Sequence, residues 1–239
     1  MRQISNYVYC DDFIAELRYE TRLMANPYYD YPYLIIENFL SAEACAEIAA
    51  YTHDKSEGER AKVKKNFHGV VVPELEEDIR KTAIHELPDI LLEGYKLSFA
   101  YYQKQIEDYF SVALTTATEV QALEYTRGGF YIKHADDSNE LVNSEGETVG
   151  FAQVAPERKI TTVLFATSHR DNGGDGLQFG GGELVFNYLF DAESRPVRFR
   201  PKAGDMVIFP SNPIYSHEVL PVSDGYRLTL VQWHDAIIS

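Results

Sequence analysis

From about residue 118 onward the chain is a succession of short segments rich in β-branched and aromatic residues, and their spacing constrains the fold more than any other feature. They run over 119–125, 130–134, 159–166, 183–188, 197–200, 205–209, 217–222 and 226–233. Gly128-Gly129, Gly180-Gly181-Gly182, the stretches 201–204 and 210–213, and Asp224-Gly225 separate them. Glycine and proline at those points break strand pairing, so each segment reads as one strand between turns. Eight short strands with such punctuation predict a double-sheet jelly roll.

The first half reads differently. Phe13, Ile14, Leu17 and Leu23 are loosely helical, and Asn26-Pro27 ends that segment. Residues 33–39 read as a strand. Ser41 is a candidate N-cap with Glu43 in the first turn, followed by a stripe of Ala44, Cys45, Ile48 and Ala49. Residues 53–67 are charged and read as a solvated loop. Pro88-Asp89 opens a longer helix with the face Leu91, Tyr95, Phe99, Tyr102, Ile106 and Tyr109, an aromatic stripe best explained as core packing. These helices lack a comparable core of their own, so they are expected to pack outside one sheet. The fold class is therefore α+β, mainly β: a double-stranded β-helix (jelly roll) core at 118–239 with a mainly helical support region at 1–117. At 239 residues, one domain over 1–239 is the better count.

Two stretches interrupt the strand pattern. Residues 137–157 are polar and mixed in charge, and 168–182 hold six glycines in fifteen residues without the Gly-Lys-[Ser/Thr] ending of a phosphate loop. Both are lids or substrate-binding loops, or plain surface insertions. The net charge of −15 argues against unaided binding of a phosphate backbone, and no basic stripe is present, so no nucleic-acid partner is expected. No apolar run is long enough to span a bilayer and no signal peptide is visible. Cys10 and Cys45 have no metal-like spacing and read as unpaired thiols of a reducing compartment, which makes a soluble cytoplasmic protein the expectation.

The candidate site begins at His134-x-Asp136. On an extended strand, residues two apart share a face, so an imidazole and a carboxylate would stand side by side. A second histidine would complete the 2-His-1-carboxylate set that leaves open positions on a non-haem iron. His217 is that candidate. If Ser223-Asp224-Gly225 forms a three-residue hairpin loop, Val222 pairs with Tyr226, and His217, Arg227, Thr229, Val231 and Trp233 share one face. An arginine facing that cavity needs an anion, and its planar guanidinium matches a carboxylate, which points to a dicarboxylate co-substrate. His53, His68, His85, His169 and His234 have no partner at strand spacing and are read as surface or capping residues.

At this point the sequence resembles prolyl 4-hydroxylase-like Fe(II)/2-oxoglutarate dioxygenases. The pattern Tyr-x-x-Gly-x-x-Tyr-x-x-His-x-Asp is matched by Tyr125, Gly128, Tyr131, His134 and Asp136. Gly-Gly-Glu-Leu at 181–184, Lys-Ala-Gly-Asp at 202–205, His217 with Arg227 ten positions on, and Trp233 follow in the family's order. The resemblance implies that His134, Asp136 and His217 bind Fe(II), and that Arg227, Tyr125 and Thr229 hold the distal carboxylate of 2-oxoglutarate. Tyr131 and Trp233 would line the substrate pocket. It further implies O2 as co-substrate, ascorbate as a candidate reductant, and release of succinate and CO2. An aspartate at 136, where related halogenating enzymes carry a small residue, implies hydroxylation.

The substrate is left open between a small molecule or amino-acid side chain, which is favoured, and a peptidyl proline. A non-catalytic jelly-roll metal- or ligand-binding protein is the rival from another class. Oligomeric state is not legible.

Overall fold

A computed structural model describes residues 2–3, 8–10, 32–54, 59–60, 63–67, 70–74, 80–171, 178–191 and 193–238. The helical segment expected at 11–24, and His68, lie outside the described residues.

Two antiparallel sheets face one another. In the larger, the order is Leu34–Ile36, Met206–Pro210, Ile160–Phe165, Arg227–Ile238, Gln121–Tyr125, Ala83–His85 and Glu59–Arg60, with Val112–Ala117 paired to the far end of Arg227–Ile238. In the smaller, it is Pro196–Phe199, Leu184–Phe190, His217–Val219, Phe130–His134 and Arg80–Lys81. The described residues before 118 thus add strands to both sheets as well as two helices.

The larger sheet is covered on both faces, which explains its sequence. All six residues of Ile160–Phe165 are buried. Ile160 and Leu164 join a core with Ile208, Leu228 and Leu230 beneath the helices, whereas Val163 and Phe165 join Val207, Phe209 and Phe186 between the sheets. A strand buried on two sides reads as a continuous apolar run. Each large side chain so buried contributes roughly 1.5–3 kcal/mol.

The helices are where their periodicity places them. Ala42–Asp54 starts at Ser41, whose hydroxyl accepts from the Ala44 amide at 3.2 Å. Asp89–Phe110 buries Leu92, Tyr95, Ile106 and Tyr109 against the larger sheet, with Leu91, Phe99 and Tyr102 packed beside them. Left-handed Ser111 (φ 53°) ends it, where an L-residue breaks helical hydrogen bonding.

Three expectations are corrected. Residues 53–67 are not all loop, since Glu59–Arg60 joins the larger sheet and Val63–Phe67 forms a hairpin with Val70–Glu74. The interruption at 137–157 is a second hairpin, Ser138–Val142 with Thr148–Gln153, closed by Asn143, whose side-chain oxygen accepts from the amides of Glu145 and Glu147. Lastly, the strands of His217 and Arg227 are not hairpin partners. Gly225 does take the left-handed conformation (φ 80°), but Val222–Gly225 pairs with Gln178–Gly181, and the chain then crosses to the larger sheet at Arg227.

Candidate metal and anion site

His134 and His217 sit directly opposite one another on adjacent antiparallel strands of the smaller sheet, with ring centroids 4.4 Å apart. Asp136 does not reach them by strand alternation as expected: its strand ends at His134, and the chain bends. The carboxylate is instead fixed from the opposite sheet, where the Thr161 hydroxyl donates to its Oδ2 at 2.7 Å. The result is the same convergence. His134 Nε2 lies 4.0 Å from Asp136 Oδ1, and His217 Nε2 lies 4.0 Å from Asp136 Oδ2. One ligand atom from each residue falls within 4.8 Å of the others.

The chemistry of the three donors suits a divalent cation. Each imidazole has its Nδ1 against a backbone carbonyl, His134 on Ile132 at 2.8 Å and His217 on Tyr215 at 3.0 Å. A carbonyl only accepts, so Nδ1 carries the proton and Nε2 presents its lone pair inward. Burial and the neighbouring His217 push His134 down to about 3, which keeps it neutral near pH 7. Burial alone would raise Asp136, but His217, His134, the Thr161 hydrogen bond and Arg158 together hold it below the usual carboxylate range. Two imidazole nitrogens and one carboxylate form a facial set with open positions, the arrangement of non-haem Fe(II) oxygenases. The Tyr131 ring stacks on His134 at 3.6 Å and fixes its plane.

Across the sandwich stands Arg227, 1% exposed. Its Nε donates to the Gly182 carbonyl at 2.8 Å, and Nη1 makes a long 3.5 Å contact with the Thr229 hydroxyl. The cation lies 4.7 Å from the centroid of Tyr125, its cross-strand partner, with Phe165 and Phe179 behind. No carboxylate among the described residues pairs with it, and burial depresses it to about 10. A desolvated guanidinium in this setting calls for an anionic ligand.

All eight residues singled out from the sequence line one cavity of about 560 Å³: Tyr125, Tyr131, His134, Asp136, His217 and Arg227, together with Thr229 and Trp233. The sequence reading missed Thr161, which orients Asp136, and Gly182, whose carbonyl orients Arg227. The glycine triplet was visible, but the use of its backbone oxygen carries no side-chain signal. Three histidines are not the surface residues expected. His85 is buried 2.5 Å from Glu124, His169 packs edge-on against Phe179, and His234 stacks flat on Phe99 at 4.6 Å.

A jelly roll that brings two histidines and a carboxylate together beside a buried arginine presents the donor set of a non-haem iron oxygenase. Residues 120–235 match the family model of the 2OG-Fe(II) oxygenase superfamily. The match implies Fe(II), 2-oxoglutarate and O2 as cofactors. A PKHD-type hydroxylase of Stutzerimonas stutzeri (strain A1501) is 28% identical over 114 residues, covering 48% of this chain and 42% of that protein. Another from Variovorax paradoxus (strain S110) is 36% identical over 61 residues, 26% of this chain and 24% of that protein. The chain thus spans less than half the length of these curated relatives.

Among solved structures, a Pseudomonas putida prolyl-4-hydroxylase aligns at TM-score 0.57 and 20% identity, covering 93% of this chain and 98% of that one. A Trichoplax adhaerens prolyl hydroxylase in complex with a hypoxia inducible factor peptide fragment aligns at 0.60 and 17%, covering 94% and 93%. At these identities the likeness establishes the fold.

Proposed function

We propose that the protein is an Fe(II)- and 2-oxoglutarate-dependent hydroxylase in which His134, Asp136 and His217 hold the metal and Arg227 holds the distal carboxylate of 2-oxoglutarate. The observation that carries this reading is the buried Arg227, with no carboxylate partner among the described residues, on the cavity that the three ligands line. When bound, Fe(II) with 2-oxoglutarate and O2 places one oxygen atom in a substrate C–H bond and the other in succinate, releasing CO2.

The chain's part is positioning. The backbone carbonyls of Ile132 and Tyr215 keep both Nε2 lone pairs free, Thr161 turns Asp136 inward, and Gly182 aims Arg227. Tyr125 and Thr229 complete the carboxylate seat, while Phe165 and Phe179 exclude water behind it. A dry seat strengthens each charge-assisted bond.

The hairpin 138–153 at the cavity supports counting residues 1–239 as one unit with a lid. Buried, free Cys45 accords with a reducing, cytoplasmic setting, and no helix among the described residues is long and apolar enough to cross a membrane. A small molecule or amino-acid side chain is the preferred substrate. The prolyl hydroxylase neighbours, one of them bound to a peptide, support peptidyl prolyl hydroxylation as the alternative.

The test is succinate formed from 2-oxoglutarate with Fe(II) and ascorbate, alone and with a metabolite panel. Turnover lost in His134→Ala and retained in His53→Ala, an exposed histidine, supports the reading. No succinate under any condition would leave the non-catalytic binding protein in its place.

A further inference from the structure

The cavity contains more positive charge than its co-substrate can use. Its charged lining residues are Arg80, Arg158, Arg227, Asp136 and Glu157, a surplus of one positive charge. A divalent ion raises the surplus to three, and the two carboxylates of 2-oxoglutarate lower it to one. In a chain of net charge −15, cations gathered without carboxylate partners among the described residues are a local specialisation.

The surplus has a location. The Arg158 guanidinium lies over the Trp233 ring, 4.1 Å from its centroid, and its Nη1 donates to the backbone oxygen of Asp136 at 3.0 Å. It is thereby held beside a metal ligand. Arg80 lies over the Tyr131 ring at 4.6 Å, and that ring stacks in turn on His134. Neither arginine forms an ion pair with a carboxylate among the described residues, including Glu157, which is exposed at the rim. Arg80 Nε, Arg158 Nε and Trp233 Nε1 are all shut off from solvent without an acceptor among the described residues. Buried donors are normally satisfied, and each exception calls for a partner. Three such donors on the wall of one cavity call for a ligand rich in acceptors.

We infer that the primary substrate is a small molecule carrying a free carboxylate, seated by Arg158, Arg80 and the Trp233 indole N–H beside Asp136 and Tyr131. The inference rests on the oxygenase reading above and narrows its substrate class. A capped or mid-chain proline is neutral and would leave both guanidiniums unpaired. One carboxylate supplies the acceptors and cancels the remaining charge.

Trp233 is the chain's single tryptophan, so its fluorescence reports this seat directly. The Zn(II)-loaded protein, saturated with 2-oxoglutarate, would be titrated with free L-amino acids and small carboxylic acids, each beside its carboxamide, and with N-acetylproline amide. At least one acid should shift the emission saturably and bind at least about tenfold more tightly than its amide. Arg158→Gln and Arg80→Gln should each weaken that acid about tenfold, with 2-oxoglutarate affinity changed less than about twofold. Equal binding of acids and amides, binding of none of the acids, tighter binding of the capped proline, or Gln variants that weaken 2-oxoglutarate instead would each overturn the assignment. Failure of the oxygenase reading looks different: 2-oxoglutarate itself would then bind without dependence on Arg227.

Discussion

His217 and Arg227 are ten positions apart in the chain and on different sheets, His217 opposite His134 in the smaller one and Arg227 opposite Tyr125 in the larger, with both lining one cavity. The proposed metal and co-substrate seats therefore have separate foundations and should fail separately. Arg227→Met is expected to weaken 2-oxoglutarate by about 30-fold or more, since truncating one side of a buried charge pair costs about 2–5 kcal/mol. Metal affinity, followed with Co(II) absorption, should stay within a few-fold. His217→Ala should abolish the Co(II) spectrum. At one fixed concentration, 2-oxoglutarate should raise the Tm of wild-type protein by more than that of Arg227→Met, because stabilisation by a ligand of the native state falls with its affinity. Equal loss of both functions in both variants would contradict the separation.

Thr161 is fully buried, and its hydroxyl reaches Asp136 Oδ2 at 2.7 Å and Ser211 Oγ at 2.8 Å. Thr161→Val keeps the shape and removes the link that holds the carboxylate from across the sandwich. Outer partners of metal ligands typically matter by about 10- to 100-fold in affinity, so Co(II) binding should weaken on that scale. Circular dichroism should be unchanged, with urea unfolding showing a loss of about 1–3 kcal/mol for the stranded polar groups. Unaltered metal affinity would mean that Asp136 holds its position without Thr161.

Much of this site was legible because its chemistry is concentrated in side chains with distinctive spacing. His134, Asp136, His217 and Arg227 could be named from the sequence, and the long helix announced itself through Tyr95, Ile106 and Tyr109. The route by which they meet was not legible. Asp136 joins by a bend and a hydrogen bond to Thr161, and His217 meets Arg227 by facing sheets, because Val222–Gly225 pairs with Gln178–Gly181 instead of closing a hairpin. Pairings between distant segments leave no local periodicity. The hairpin at 138–153 escaped for another reason: it lies off the main core, and Leu141, Val142 and Val149 remain exposed, so apolar alternation, the usual signature of a half-buried strand, is weak. His234 was misread because its burial comes from Phe99 on a helix, a contact between segments far apart in the chain.

Gly182 couples backbone conformation to the aim of Arg227, the proposed co-substrate anchor. It has φ +62°, a region that costs an L-residue, and a Cβ there would meet Val222 Cγ2 at 2.8 Å and Arg227 Cδ at 3.1 Å. Its carbonyl also accepts from Arg227 Nε. Gly182→Ala should therefore displace the guanidinium and raise the KM for 2-oxoglutarate by about tenfold or more, with a stability loss of about 1–3 kcal/mol from the strained conformation. Co(II) affinity serves as the control and should be little altered. An unchanged KM would show that Arg227 keeps its aim without this carbonyl.

His234 predicts how stability depends on pH. Its ring is 2% exposed, stacks on Phe99, and has Nε2 3.4 Å from the Thr162 hydroxyl. Burial pushes it down from 6.5 to about 4. As pH falls, the unfolded chain takes up this proton first. The contribution is therefore complete above about 6.5, declines as pH falls towards 4, and changes no further below that. A difference of this size corresponds to something on the order of 3 kcal/mol. Asp137, raised to about 6 chiefly by burial, has the opposite slope, so wild-type unfolding alone would mix the two. Comparing wild-type with His234→Gln in urea, metal-free, at pH 7.5 and 4.5 removes that contribution, since it is common to both chains. The stability of wild-type relative to the variant should fall by about 2–3 kcal/mol on acidification. Parallel pH profiles would mean that His234 is charged in the folded protein, and that its stack on Phe99 admits a cation.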